Sequence, residues 1–270
     1  MGNVCHCEED HNKVVDSSYR GTKYSKARLA DMKKLWDLDS KCLGSGAYGK
    51  VYKATCITDP ERVAAVKIIN KRGMDDFTKN ALVNEIHLMN KVDHPHIAKY
   101  YESYDEANYL YMVMEFCPGG DLYDKLFDDY LDGMSEKQAS ELIFKIIKAL
   151  LHCHDQNIMH RDLKPENIVF DKNGEPKLID FGFAKIHEGS NGWLDTVGSP
   201  HYISPEALYG KYGKGTDVWS MGVVIYQILT GKLPFDDENF PPQITVINEK
   251  IRIGSFDMPE QLSDNAKDLI

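Results

Sequence analysis

The stretch His160-Arg161-Asp162-Leu163-Lys164-Pro165-Glu166-Asn167, followed at short range by Asp180-Phe181-Gly182, concentrates groups that can accept a proton or hold an ion. They fall on loops, where residues that do chemistry commonly sit. Far upstream, Gly44-Ser45-Gly46-Ala47-Tyr48-Gly49-Lys50-Val51 lies between two predicted strands. Glycines there let backbone N–H groups approach phosphate oxygens, because no Cβ stands in the way. The spacing fits two phosphate-binding patterns, but a P-loop needs Ser or Thr after the lysine and then a helix, whereas Val51 opens a strand. Both the P-loop and the dinucleotide-fold readings lose on that context. Ala65-Val66-Lys67 follows in the next strand, and Glu85 falls within a predicted helix. A lysine beside phosphates needs a carboxylate to fix its ammonium, and this pair supplies one. Either residue alone would read as a surface charge.

These groups must be positioned by regular elements. From Trp36 onward, Lys41-Cys42-Leu43, Val51 to Ala54, Val63 to Ile69 and Tyr109 to Phe116 read as strands of a small sheet, with a turn at Asp59-Pro60. Leu82, Ile86 and Met89 recur at helical spacing and predict one helix over 77–92. Beyond Pro118-Gly119-Gly120 the periodicity turns helical. Ser135 and Gln138 form a capping-box pattern ahead of Ala139, Leu142, Ile143, Ile146, Ile147, Leu150 and Leu151, a long amphipathic helix that ends before His160. Ile168 to Phe170 and Lys177 to Ile179 flank an Asn173-Gly174 turn, a short hairpin. The organisation is an N-terminal extension over 1–35, a sheet-rich lobe over 36–117 and a helical lobe over 118–270.

In this order, the pieces resemble the eukaryotic protein kinases: the glycine-rich loop, the strand lysine in Ala64-Ala65-Val66-Lys67, the catalytic loop and the Asp-Phe-Gly motif. Ser204-Pro205-Glu206 departs from the family's Ala-Pro-Glu only in its first residue. The resemblance covers about residues 36–270 and implies an α+β, bilobal fold working with ATP and Mg2+. It implies that Asp162 accepts or orients the proton of a substrate hydroxyl, that Asn167 and Asp180 hold magnesium, that Lys67 with Glu85 positions the phosphates, and that Lys164 sits near the transferred group. By the same likeness the nucleotide is contacted by Leu43, Gly44, Ser45, Gly46, Ala47, Tyr48, Gly49, Val51 and Ala65. Met114 stands at the back of the adenine pocket, and Glu115 and Cys117 offer backbone hydrogen bonds to the base. Asp121, Glu166, Asn167 and Asp180 complete the set.

Lys164 within this loop resembles the serine/threonine-specific version. Asp121 and Glu166 resemble acidic positions that bind arginine in a protein substrate, which implies a basic substrate context. Gly119 to Tyr123, Thr216 to Ser220 and Leu229 to Phe235 are similar to the calmodulin-kinase group and, with the start Met1-Gly2-Asn3-Val4-Cys5, to its calcium-dependent protein kinases. No calcium loop is encoded: the nearest stretch, Asp128 to Ala139, has Tyr130 and Ala139 at ligand positions. Arg161 would seek an anion on the activation segment, where Asp195 aligns with the usual phosphosite and Thr196 is its competitor. Such kinases continue through further helices, one of which carries an arginine that pairs with the residue corresponding to Glu206. The expectation is therefore a fragment with Glu206 unpartnered, at a cost of roughly 3–5 kcal/mol for a broken buried pair. The alternative to an active enzyme is then a catalytically weak nucleotide-binding scaffold.

Composition narrows the rest. With 42% apolar and 27% charged residues the chain is globular, and its net charge of -10 offers no basic field for nucleic acid. The six cysteines, Cys5, Cys7, Cys42, Cys56, Cys117 and Cys153, lack disulfide-framework spacing, which points to free thiols in a reducing cytoplasmic setting. The longest apolar stretch, Val218 to Leu229, is far short of the roughly 20 residues that span a bilayer. Gly2 suits N-terminal acylation, although His6 stands where Ser or Thr is usual, and Cys5 would take a second chain. Two chains anchor stably where one does not, so membrane association would run through Gly2 and Cys5. Arg20, Lys23, Lys26, Arg28, Lys33 and Lys34 follow and suit anionic lipid. Cys5-His6-Cys7 has metal-ligand types but no second ligand pair, so no metal is expected there.

Overall fold

A computed structural model describes residues 32–46, 49–186, 198–239 and 241–270. A short helix α1 (Met32–Leu35) leads into β1 (Trp36–Gly46), β2 (Gly49–Cys56) and β3 (Asp59–Asn70). Helix α2 (Asp76–Lys91) follows, then β4 (Tyr100–Asp105) and β5 (Tyr109–Glu115). The five strands form one antiparallel sheet in the order β1-β2-β3-β5-β4. Strand period sorts their side chains onto two faces. Ala54, Ala64, Val66, Tyr111 and Val113 gather with Met32 and Trp36 on one face, which carries the lobe's packing back to residue 32. Ile69, Leu110 and Met112 join Leu82, Leu88 and Met89 of α2 on the other.

Several expectations shift here. β4 was not predicted as a strand, and β1 runs eleven residues rather than the three of Lys41 to Leu43. The turn falls on Ile57-Thr58, while Asp59-Pro60 opens β3, because Cys56 pairs with Asp59 and the Ile57 N–H is taken by the Leu35 carbonyl at 2.8 Å. Helix α2 lies over 76–91 because the Asp75 carboxylate caps it, accepting the Thr78 N–H at 2.8 Å.

The helical lobe comprises α3 (Leu122–Asp129), α4 (Glu136–Asp155), β6 (Ile158–Met159), β7 (Ile168–Phe170), β8 (Pro176–Leu178) and β9 (Lys185–Ile186). After these come α5 (Lys214–Thr230), α6 (Ile244–Ile253) and α7 (Asp264–Leu269). Ser135 caps α4 as expected, its hydroxyl accepting the Gln138 N–H at 3.4 Å. The buried stripe of α4 turns from Leu150 to Cys153, which leaves Leu151 53% exposed, contrary to its predicted place on that face. The β7–β8 connection is a five-residue loop rather than a tight Asn-Gly turn: Asp171 Oδ1 accepts the Asn173 and Glu175 N–H groups at 2.8 and 2.9 Å. Ile179 therefore falls outside the strand, and its N–H donates to the Asn167 carbonyl at 2.9 Å.

The apolar run Val218 to Leu229 lies in α5, most of which is buried in the lobe. Among the described residues no helix is long and apolar enough to cross a membrane. Its end is a backbone-to-backbone contact. A Cβ on Gly231, which has φ +68°, would come within 2.0 Å of the Leu131 carbonyl oxygen, so only glycine fits.

Backbone hydrogen bonds anchor the segment that leaves β5 to β7 and, between the lobes, the loop before β4 to β8. The Gly119 N–H donates to the Phe170 carbonyl at 2.8 Å, and the Phe170 N–H donates to the Gly120 carbonyl at 3.0 Å. Behind them, the Leu178 N–H donates to the His96 carbonyl at 2.9 Å and the Ala98 N–H to the Leu178 carbonyl at 3.0 Å.

Candidate active site

The sheet register brings the lysine and the nucleotide-side residues together. Val51, Lys67 and Met112 form one cross-strand row, and Lys53, Ala65 and Met114 the row two residues away, so all six share a face. From β3, Lys67 Nζ donates to Glu85 Oε1 at 2.9 Å and to Asp180 Oδ1 at 3.0 Å. Glu85 is supplied by α2 and is 2% exposed. Burial works against a charged Lys67, yet the Glu85 and Asp180 carboxylates hold its ammonium above the usual lysine range. Burial likewise works to raise Asp180, but the Lys67 charge and hydrogen bond keep its carboxyl below the usual carboxylate range. Asp180 adopts φ +62°, a strained conformation for a non-glycine residue, and its Oδ1 also accepts the Gly182 N–H at 3.3 Å. Phe181 beside it is fully buried, edge-on to the His160 ring with centroids 4.9 Å apart.

The second group centres on Asp162, which is 4% exposed. Its Oδ2 accepts Lys164 Nζ at 2.8 Å and Asn167 Nδ2 at 3.0 Å. Its Oδ1 accepts the Ser199 hydroxyl at 3.2 Å, and Lys164 Nζ also donates to Ser199 Oγ at 2.9 Å. Ser199 was not among the predicted residues, because a single hydroxyl 37 positions from its partner leaves no spacing signal. Asp217 was missed in the same way. It is fully buried in α5 and accepts the His160 N–H at 2.9 Å, the Arg161 N–H at 2.7 Å and His154 Nε2 at 2.8 Å. One carboxylate thus takes two consecutive N–H groups of this loop, and the His160 ring adds a contact to the Ile179 carbonyl at 3.0 Å.

The remaining predicted residues divide. Ala65 is buried, Met114, Glu115 and Cys117 are half-buried at the lobe join, and Leu43, Gly44 and Ser45 are exposed along β1. The Glu115 N–H is committed to the Lys99 carbonyl at 2.7 Å, and its side chain pairs with Lys177 at 2.8 Å, so its carbonyl is what it can offer a base. Burial, with Glu115 nearby, pushes the Cys117 thiol up to about 12. Asp121 caps α3, its Oδ1 accepting the Asp124 N–H at 2.8 Å, while Glu166 is exposed in the Pro165–Asn167 turn. Gly46 and Gly49 end and open the first two strands. Ala47 and Tyr48 lie outside the described residues, as do Asp195, Thr196, Gly2 and Cys5. Arg161 donates from Nε to the Phe183 carbonyl at 2.6 Å and packs over the Tyr212 ring.

Glu206 meets a hydroxyl rather than the arginine of the family's ion pair. It accepts a long hydrogen bond from the Thr216 hydroxyl at 3.4 Å. It also lines a cavity of about 570 Å³ among Ile147, Leu151, Val218, Trp219 and Ile270. None of the residues of the two charged groups lines that cavity.

A buried cationic side chain held by two carboxylates, and a carboxylate that accepts an amide and an ammonium, are groups of the kind that can handle phosphates and a cation. Comparison with known families agrees: the family described as Protein kinase domain matches residues 38–270, and the chain belongs to it. It is 39% identical over 247 residues to calcium-dependent protein kinase 5 of Plasmodium falciparum (isolate 3D7), covering 89% of this chain and 42% of that protein. It is 38% identical over 234 residues to calcium/calmodulin-dependent protein kinase type 1 of Macrobrachium nipponense, covering 84% of this chain and 66% of that protein. A third relative, SNF1-related protein kinase catalytic subunit alpha KIN12 of Arabidopsis thaliana, is 38% identical over 232 residues, with 85% of this chain and 46% of that protein covered. The likeness to the calmodulin-kinase group is borne out, and the chain spans less than half the length of the first and third of these relatives.

ATP and Mg2+ are the family's general rule. The donor set fits them. Asn167 donates its amide nitrogen to the Asp162 carbonyl and carboxylate, so its oxygen is the atom left for a cation, and Asp180 contributes carboxylate oxygens. Magnesium takes oxygen ligands from one or two such groups together with substrate phosphates.

Proposed function

We propose that the chain is an ATP-dependent serine/threonine protein kinase, transferring the terminal phosphoryl group to protein hydroxyls. The observation that carries this reading is the pairing of two preassembled groups: Lys67 with Glu85 and Asp180, and Asp162 with Lys164, Asn167 and Ser199. Bound with its metal, ATP supplies an activated phosphoryl group. The chain's part is positioning and charge neutralisation, because little covalent chemistry is left for the protein in such a transfer. Lys67, fixed on both sides, meets phosphate oxygens without having to order itself first. Asn167 and Asp180 hold the cation. Asp162 orients the incoming hydroxyl and takes its proton, and Lys164 bridges Asp162 and Ser199 where negative charge develops. A radiolabelled ATP assay on a generic basic protein tests the reading. Nucleotide binding without transfer would instead make the chain a scaffold.

We also propose a preference for basic substrates. Glu166 is exposed on the turn after the catalytic loop, and α3, capped by Asp121, packs beside that turn. Removing an upstream arginine from a peptide substrate is expected to raise KM about fivefold, the scale of one exposed charge pair. In Glu166→Ala that difference should shrink. Equal KM values for the two peptides on the wild-type chain would remove the preference. The Met1-Gly2-Asn3-Val4-Cys5 start supports a cytoplasmic protein tethered to membranes through Gly2 and Cys5. A clickable myristate analogue should label the full chain in cells and not its Gly2→Ala variant, with the variant moving to the soluble fraction. An unlabelled wild-type chain would end that proposal.

A further inference from the structure

Three imidazoles meet behind the site where the lobes are joined. His94 and His96 lie on the loop between α2 and β4, and His152 on the last turn of α4. The His94 ring centroid is 5.3 Å from that of His152 and 5.7 Å from that of His96. This loop is the segment zipped to β8 through His96, Ala98 and Leu178, and His96 Nδ1 adds a contact to the Pro176 carbonyl at 3.0 Å. Upstream of it α2 carries Glu85, and two residues past Leu178 comes Asp180. Both carboxylates that hold Lys67 are therefore tied to one short loop.

Hydrogen bonding selects the neutral ring of His94. The His96 N–H donates to His94 Nδ1 at 3.1 Å, so that nitrogen must carry its lone pair. Beside it, the amide nitrogen of Gln156 lies 2.8 Å from His152 Nε2. The charged and titratable groups acting on His94 are His96 of its own loop, His152 and Lys148 of α4, and Lys177 of β8. Neighbouring Asp93 is directed to Lys99, at 4.0 Å, and Lys177 is paired with Glu115. Partial burial and these basic neighbours hold the His94 imidazole below its ordinary value of 6.5.

We propose that His94, packed on His152, is a proton-sensitive clasp between the lobes, closed while its ring is neutral and opened when it is protonated. A proton on Nδ1 removes the acceptor of the His96 N–H and sets a new cation among Lys148, Lys177 and His152. The loop then separates from β8, and the displacement reaches Glu85 and Asp180 together. Because the folded chain favours the neutral ring, the unfolded chain binds more protons. The clasp contributes fully above the ordinary value of 6.5, and its contribution is lost as pH falls below it.

The test compares the full chain with His94→Asn, whose amide oxygen can accept the same N–H without titrating. Hydrogen exchange is measured on peptides covering Ala98 and Leu178, corrected for its intrinsic pH dependence. In the wild type, opening of these amides should increase on going from about pH 7.5 to about pH 5.5, by at most about tenfold per unit for one proton, while α5 amides stay protected. In His94→Asn the increase should vanish. The same pH dependence in both proteins would overturn the clasp. Should the variant not fold, NMR titration of the His94 ring in the wild type decides. A midpoint below 6.5 that coincides with the loss of protection supports the clasp, and a midpoint at or above it overturns the proposal.

Discussion

Asp162→Asn is expected to slow phosphate transfer about a hundred- to ten-thousandfold, the range for removing a positioned general base, while nucleotide affinity and thermal midpoint stay near wild type. The substitution keeps the size and one oxygen of a side chain that accepts Lys164, Asn167 and Ser199. What disappears is the charge and the proton acceptor. Initial rates at saturating ATP, set beside calorimetric binding of magnesium-ADP, separate the two quantities. A variant that keeps more than about a tenth of the rate would show that proton acceptance lies elsewhere.

Asp217→Ala is expected to lose about 3–5 kcal/mol of stability, the range for breaking a buried ion pair or charge-assisted network. Truncation leaves the His160 and Arg161 N–H groups and the His154 ring nitrogen without their acceptor inside the lobe. Arg161 also holds φ +66°, a strained conformation that persists only where its surroundings over-determine it. The carboxylate that takes two consecutive N–H groups is part of those surroundings, so the strained turn should relax with its removal. The thermal midpoint should fall by about 10 °C or more, since each kcal/mol moves a domain of this size by a few degrees. A fall of less than about 2 °C would mean that the loop is held by other contacts.

The groups proposed to handle phosphate were legible from sequence because they cluster in short motifs or fall on adjacent elements. Asp162, Lys164 and Asn167 share one loop, and Lys67 and Glu85 fall on a strand and the helix that follows it. Ser199 and Asp217 were not legible. Each meets the loop only through tertiary packing, and neither a lone hydroxyl nor a helix carboxylate differs in sequence from a solvated residue. The fold was readable where apolar runs are strong. β4, with the sequence Tyr100-Tyr101-Glu102-Ser103-Tyr104-Asp105, hides because it sits at the sheet edge, where polar residues are tolerated, and its strand character comes from pairing with β5. Asp59-Pro60 misled because turn chemistry was weighed without register. Proline at the second position of a strand loses nothing that the strand start requires.

The burial of Phe181 sets a limit on small molecules aimed at this cleft. Any compound whose binding displaces that ring must first bring a fully enclosed phenylalanine into water and break its edge contact with His160. Exposing such a side chain takes about 1.5–3 kcal/mol, so these compounds forfeit roughly ten- to a hundredfold in affinity relative to ligands that leave the ring in place.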